Sequence, residues 1–263
     1  MPRIVDYFCF SSKITSMELT IAILVFLVFY TINMFYITVL YHRTLTHKAL
    51  DLTSLGLFLV KHTALWVTGI DPKIWTCMHR LHHKHSDTAL DPHSPLNSSI
   101  PMVMWRQIRY YDLLGDKLIK NDPKYSSVVS DLPFDLHLIN KHKLWLIPYM
   151  VQVLITYLIF HYTGSSLISL AYFLGIISHP VQGWLINSFG HKVGYVSFET
   201  HDNSKNNTFL AYTVFGEGYQ NNHHAYPESP NFALNKGEFD PGFILCKIGK
   251  KLNLVKDNNG VAF

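Results

Sequence analysis

The chain has 263 residues, 48% of them hydrophobic and only 15% charged, with a formal net charge of +4. That charge is accounted for by basic residues facing anionic lipid headgroups, so no nucleic-acid partner is expected. The apolar excess argues against an ordinary soluble domain and for a single membrane-embedded domain over 1–263.

Leu19 to Tyr41 is uncharged and longer than the roughly 20 residues that cross about 30 Å of hydrocarbon. It lacks a basic lead and a small-residue cleavage site, so it reads as an anchor and not a signal peptide. Asp51 to Ile70 is apolar but carries Lys61 and His62 at its centre, and a span there would put His42 and His79 on opposite sides of the membrane. It is expected to be a helix lying along the cytoplasmic surface. Ile100 to Lys143 mixes aromatic and charged residues with Pro and Ser turns, and reads as the loosest part of the chain. Two further apolar runs, 144–162 and 165–185, are separated only by Thr163 and Gly164 and form a predicted transmembrane hairpin.

Of the 22 Lys and Arg residues, 13 lie between His42 and Lys143, 7 follow residue 185, and none lies in the hairpin turn. The positive-inside bias makes that face cytoplasmic. The expected fold is an all-α, multi-pass integral membrane protein: three spans (19–41, 144–162, 165–185) and a cytoplasmic helical cap from 42–143 and 186–263. Cys9, Cys77 and Cys246 show no paired spacing and are expected to be free thiols.

Sixteen histidines are present. HRTLTH contributes His42 and His47; HRLHH contributes His79, His82 and His83; NSFGH contributes Asn187 and His191; QNNHH contributes Gln220, His223 and His224. All four groups fall on the cytoplasmic side assigned by the basic residues. On a helix, His79, His82 and His83 lie within about 100° of arc, as do Gln220, His223 and His224. His42 and His47 are about 140° apart on a regular helix and converge only if it ends or loosens between them. Eight clustered imidazoles exceed what one metal ion uses; two ions sharing them would keep open positions, and imidazole suits iron, copper or zinc. By contrast His85, His137, His142, His161 and His201 read as solvated side chains. His62 and His179 sit in apolar segments and read as packing or buried polar contacts, while His93, in DPH, fits either description.

HRTLTH, HRLHHKHSDTALDPHSP, NSFGH and GEGYQNNHHAYP resemble the histidine boxes and the extra Asn/His element of the membrane-bound fatty acyl desaturases, the stearoyl-CoA desaturase type. The likeness implies a transmembrane helical bundle whose cytoplasmic cap holds two irons, and O2-dependent desaturation of a long acyl chain, most often at the ninth carbon. By position, His42, His47, His79, His83 and His223 resemble the ligands of one iron, and His82, His191 and His224 those of the other, with Asn187 holding a water on it. The family usually has histidine where this chain has Gln220. Either the glutamine oxygen coordinates iron as a harder, weaker donor, or Gln220 points at a metal-bound water; a one-metal inactive relative is the third reading. The family typically has two spans before the first box and only one fits here, which would leave the amino terminus outside.

Desaturating an unactivated methylene needs O2, two electrons and a high-valent iron centre. No flavin, haem or dinucleotide motif is recognisable, so a separate donor such as a ferredoxin or cytochrome b5-like protein is expected on the cytoplasmic face. Asp87, Asp91 and Glu217 either orient ligand histidines or pair with Lys84 and Arg80. The acyl group would arrive on CoA, acyl carrier protein or membrane lipid. Helix rise puts Met34 about 12 Å and Tyr30 about 18 Å from His42, so Met34, backed by Tyr30, is expected to floor the acyl tunnel. The competing readings are a membrane di-iron hydroxylase acting on an alkyl, acyl or carotenoid substrate, and a non-catalytic metal carrier.

Overall fold

The computed structural model describes residues 14–258 apart from Pro92; Cys9 lies outside them. Helix α1 (Ser16–Met34) is capped by Thr15, whose hydroxyl accepts from the Glu18 amide at 3.1 Å, and it passes without a break into a π-helical segment, Phe35–Thr46. Together these 31 residues form the one helix, among the described residues, long and apolar enough to cross a membrane. Leu24, Leu27 and Val28 stand exposed on its outer side.

The stretch expected to be one surface helix is instead strand β1 (Leu50–Leu52) followed by two short helices, α2 (Ser54–His62) and α3 (Ala64–Thr68). Residues Leu50 to Leu52 are drawn into antiparallel pairing with β2 (Val255–Asp257), Leu50 opposite Asp257. The break between helices falls at Thr63, whose hydroxyl bonds the Leu59 carbonyl and meets Tyr36 Oη at 2.7 Å, an alternative to helical continuation. His62 is exposed, its ring tilted against Phe58 at 4.7 Å, so it is not a buried polar contact.

Helix α4 (Pro72–His85) starts cleanly because Asp71 accepts from the Lys73 and Ile74 amides and Pro72 occupies the first turn. Helix α5 (Ile100–Ile119) corrects the expectation of a loose region. Val103, Gln107, Tyr111, Leu114 and Leu118 recur at helical spacing and are buried, a stripe that the interspersed charges obscured. Short helices α6 (Pro123–Ser126) and α7 (Leu138–Lys141) follow.

Helix α8 (Ile147–Thr163) turns through Gly164, in the left-handed region at φ 67°, into α9 (Ser166–Ile176). The apolar run 165–185 is not one continuous helix. It breaks after Ile176 and restarts as α10 (His179–Phe189), with Pro180, which has no N–H to donate, in the first turn. The 11 residues of α9 rise about 16 Å, short of a bilayer. Gly175 lets α9 lie directly on α1: a Cβ there would sit 2.9 Å from the Phe26 carbonyl oxygen. Helices α11 (Thr208–Thr213), α12 (Gln220–Ala225) and α13 (Pro241–Lys251) complete the chain before β2.

One buried ionic network joins the first helix to this carboxy-terminal part. Arg43, fully buried, donates to Glu217 Oε1 at 2.8 Å, to Asp240 Oδ2 at 2.9 Å and to the Pro230 carbonyl at 2.9 Å, and its guanidinium lies 3.8 Å over the Phe232 ring. Replacing Arg43 with Met strands two buried carboxylates, at a cost of about 3–5 kcal/mol. The apparent unfolding midpoint of Arg43→Met in detergent should therefore fall by several degrees, and an unchanged midpoint would remove this network from the account of the fold.

Candidate metal centre

The first helix delivers two histidines to one place because its last turns are π-helical. His47 N–H bonds His42 O at 3.1 Å, and the hydroxyls of Thr44 and Thr46 donate to Val39 O and Tyr41 O, each five residues back. Bonding over five residues stacks the fifth residue over the first, where an α-helix would leave them about 140° apart. The His42 and His47 rings consequently lie 4.9 Å apart.

Helix α4 presents His79, His82 and His83 on one side, and α12 presents Gln220, His223 and His224. His191 lies just beyond α10, past Gly190, with Asn187 in the last helical turn. One ring nitrogen each from His42, His47, His79, His83 and His223 falls within 4.8 Å of all the others, and the same holds for His82, His191 and His224. The structure thus separates the eight histidines into a group of five and a group of three.

In the larger group four Nε2 atoms form a closed ring: His42 to His79 at 2.8 Å, His79 to His83 at 3.2 Å, His83 to His223 at 3.0 Å and His223 to His42 at 3.0 Å. Adjacent ligands about 2.1 Å from a shared metal stand about 3.0 Å apart, so this ring has the dimensions of a coordination shell. His47 Nε2 is buried with no hydrogen-bond partner. Burial, and then the neighbouring rings, hold His79, His83 and His223 well below the usual histidine range, keeping the neutral form that binds metal. His42 Nδ1 faces Glu217 Oε2 at 2.6 Å in a close, off-axis contact.

The smaller group carries a second pattern. Each ring is gripped at Nδ1 by a carboxylate: His82 by Asp91 at 3.0 Å, His191 by Asp87 at 2.9 Å and His224 by Asp202 at 2.5 Å. The three Nε2 atoms are buried and unpartnered. Carboxylates at the far nitrogen with the near nitrogen free is the arrangement that orients metal-binding imidazoles and raises their basicity. Burial alone would raise the three carboxyl groups. The histidine contacts override it, holding Asp87 at about 2 and Asp91 and Asp202 below the usual carboxylate range. Burial lowers His224 to about 4, against the opposing pull of Asp202.

The group of five borders a cavity of about 130 Å³ through His42 and His79, while His82, His191 and His224 stand off its wall. His42, His79, Asn187 and Gln220 form part of its wall, and Met34, Ile37 and Val214 another part. Gln220 is buried with Oε1 unpartnered, and it fits because Gly190 has no side chain: a Cβ there would lie 2.7 Å from Gln220 Cγ. Tyr30 does not line the cavity; it stands behind, its hydroxyl donating to Thr213 O at 2.6 Å. The π-helical turns also place Met34 nearer His42 than α-helical rise suggests, since each turn holds more residues.

Asp87, Asp91 and Glu217 contact histidines, not Lys84 or Arg80; Arg80 pairs with Asp131. Asp202, Arg43 and Asp240 escaped sequence reasoning because nothing in their spacing links them to a box. His179 is also on the cavity wall, accepting at Nε2 from Trp75 Nε1–H at 3.0 Å. Cys77 and Cys246 are buried free thiols.

The model of the family described as fatty acid desaturase matches residues 19–237. Similar proteins include an acyl-CoA 5-desaturase of Anemone leveillei, 28% identical over 84% of this chain and 66% of its own length. The sn-1 stearoyl-lipid 9-desaturases of Synechocystis and Anabaena variabilis are each 31% identical, over 84% and 83% of this chain and 66% and 76% of theirs. The alignment thus spans just under two thirds of the first two of these relatives.

Asp202→Ala should weaken metal binding at the group of three about 10- to 100-fold while leaving the group of five loaded. Competition between the purified protein and a ferrous chelator reads this directly, and two unchanged release steps would show that Asp202 does not govern His224.

Proposed function

Because this chain belongs to the fatty acid desaturase family, we propose that it uses O2 and two electrons to insert a cis double bond at the ninth carbon of a long-chain acyl group. The observation that carries this reading is the convergence of two imidazole groups, of five and three, the larger of which borders a largely apolar cavity. The 9-desaturases of Synechocystis and Anabaena variabilis, to which the chain is similar, support the ninth carbon.

The donor set fits two irons: buried imidazole nitrogens converge at coordination spacing in one group, and carboxylate-oriented nitrogens converge in the other. In this reading His42, His47, His79, His83 and His223 hold one ion, His82, His191 and His224 the other, and Asn187 a water. Iron, when bound, supplies the oxygen activation needed to take hydrogen from an unactivated methylene. The protein's own part is geometric. Asp87, Asp91 and Asp202 fix the rings by holding their Nδ1 protons, and Glu217 braces His42. The cavity walls exclude water and hold the chain against His42 and His79, with Met34, backed by Tyr30, meeting the methyl end.

The same reading places the protein in the membrane with its histidines on the cytoplasmic face. Ser16–Thr46 makes one crossing, α8 a second, and α9 with α10 a broken third. The distribution of basic residues supports that orientation. The acyl group arrives on lipid, CoA or carrier protein, and electrons come from a ferredoxin or cytochrome b5-like donor.

Expression in a desaturase-deficient cell, with the new double bond located by mass spectrometry, tests the activity: a cis bond at the ninth carbon is expected, and an alcohol product would select the hydroxylase reading instead. His79→Ala and His223→Ala should each abolish the product while membrane insertion persists. Met34→Ala should shift the product profile toward longer acyl chains and Met34→Trp toward shorter ones. Identical profiles across 14- to 20-carbon substrates would place the floor elsewhere.

A further inference from the structure

The two histidine groups are unequal, and the chain's own pattern shows where the inequality arises. HRLHH and QNNHH share one spacing, but the position one turn before His224 holds Gln220, a carboxamide, where His79 stands one turn before His83. The smaller group is left with three nitrogens against five. An amide oxygen is a poorer partner than imidazole for a transition metal of this class.

His93 is the buried imidazole beside this group that no role yet absorbs. It is 1% exposed, and neither Nδ1 nor Nε2 has a hydrogen-bond partner. Leaving a buried polar group unsatisfied is costly, so two such atoms on one ring require a reason. The His93 ring lies 4.5 Å from the His82 ring, and its nitrogen shares a group within 4.8 Å with His82 and Asp91. It lines the same cavity as Gln220 and Asn187.

Asp91 has no spare capacity as a ligand: Oδ1 accepts from His82 Nδ1 and the His93 amide, each at 3.0 Å, and Oδ2 from the Asp87 amide at 2.8 Å. One carboxylate therefore fixes His82 and the backbone of His93 together. The His93 ring itself is held by no hydrogen bond. It stands with His82 and outside the tight set with His191 and His224, so reaching a shared ion takes a turn of the side chain, which breaks no hydrogen bond.

We propose that His93 supplies the fourth nitrogen to the ion held by His82, His191 and His224, in the place that Gln220 leaves without an imidazole. The inference rests on the two-ion reading above.

The test is iron content per chain after anaerobic loading with ferrous iron, read by elemental analysis and by chelator release, on variants with an unchanged elution profile in detergent. Wild type and Gln220→Ala should hold two irons. His93→Ala and His93→Phe should hold one, or release the second at least tenfold more readily, with the group of five unaffected. His93→Phe keeps the ring's volume and removes the two unpartnered nitrogens, so a packing role alone predicts a folded protein that still holds two irons. Gln220→His combined with His93→Ala should restore two. Two irons with unchanged release in His93→Phe would overturn the proposal. His82→Ala and wild type separate the levels: one iron in His82→Ala together with two in His93→Phe rejects His93 alone, whereas a single iron in loaded wild type rejects the two-ion reading.

Discussion

The buried guanidinium of Arg43 is the constraint on which the placement of the histidines depends. It has left water completely, and the carboxylates of Glu217 and Asp240, the carbonyls of Pro230 and Thr38, the Thr38 hydroxyl and the Phe232 face compensate. Ion pairs of this kind add little net stability after desolvation, but breaking one is costly, so the segments that carry them are fixed relative to each other. Arg43 follows His42, and Glu217 lies one helical turn before Gln220. One oxygen of Glu217 faces Arg43 and the other faces His42. The ionic contact thereby aligns the end of the first helix with the turn that opens α12, bringing His42 to within 3.0 Å of His223.

From that alignment the two groups follow with different electrostatic characters. In the group of five, burial holds His79, His83 and His223 neutral, and one carboxylate stands behind His42. In the group of three every ring has its own carboxylate, all held in the ionised form. Fewer nitrogens are thus balanced by more negative charge in the surrounding layer. A dication gains from both devices, through more direct donors in one case and more basic donors in the other.

Much of this was legible in the chain. The matched boxes named the eight histidines that converge, because imidazoles at helical spacing are a local signature. The first long apolar helix was equally legible, since its signal is a run of composition. Other features depend on contacts between distant segments. Asp202 meets His224 from across a loop, and α5 hides its buried stripe among charges. The break at Ser178 is a local event inside an apolar run, and hydropathy averages over it.

By itself the sequence determined the helical class, the position of one membrane-length helix and which histidines belong to the clusters, because each is encoded in composition or in spacing over a few residues. Only the tertiary structure decided how those side chains divide. His82 and His83 are adjacent in the chain, yet they join different groups because they project from α4 toward different partners. His42 and His47 share a group because the backbone changes to π-helical bonding, a choice that residue spacing alone leaves open. The meeting of residues nearly two hundred positions apart is set by packing and buried charge, and these act on positions in space that no short stretch of sequence specifies.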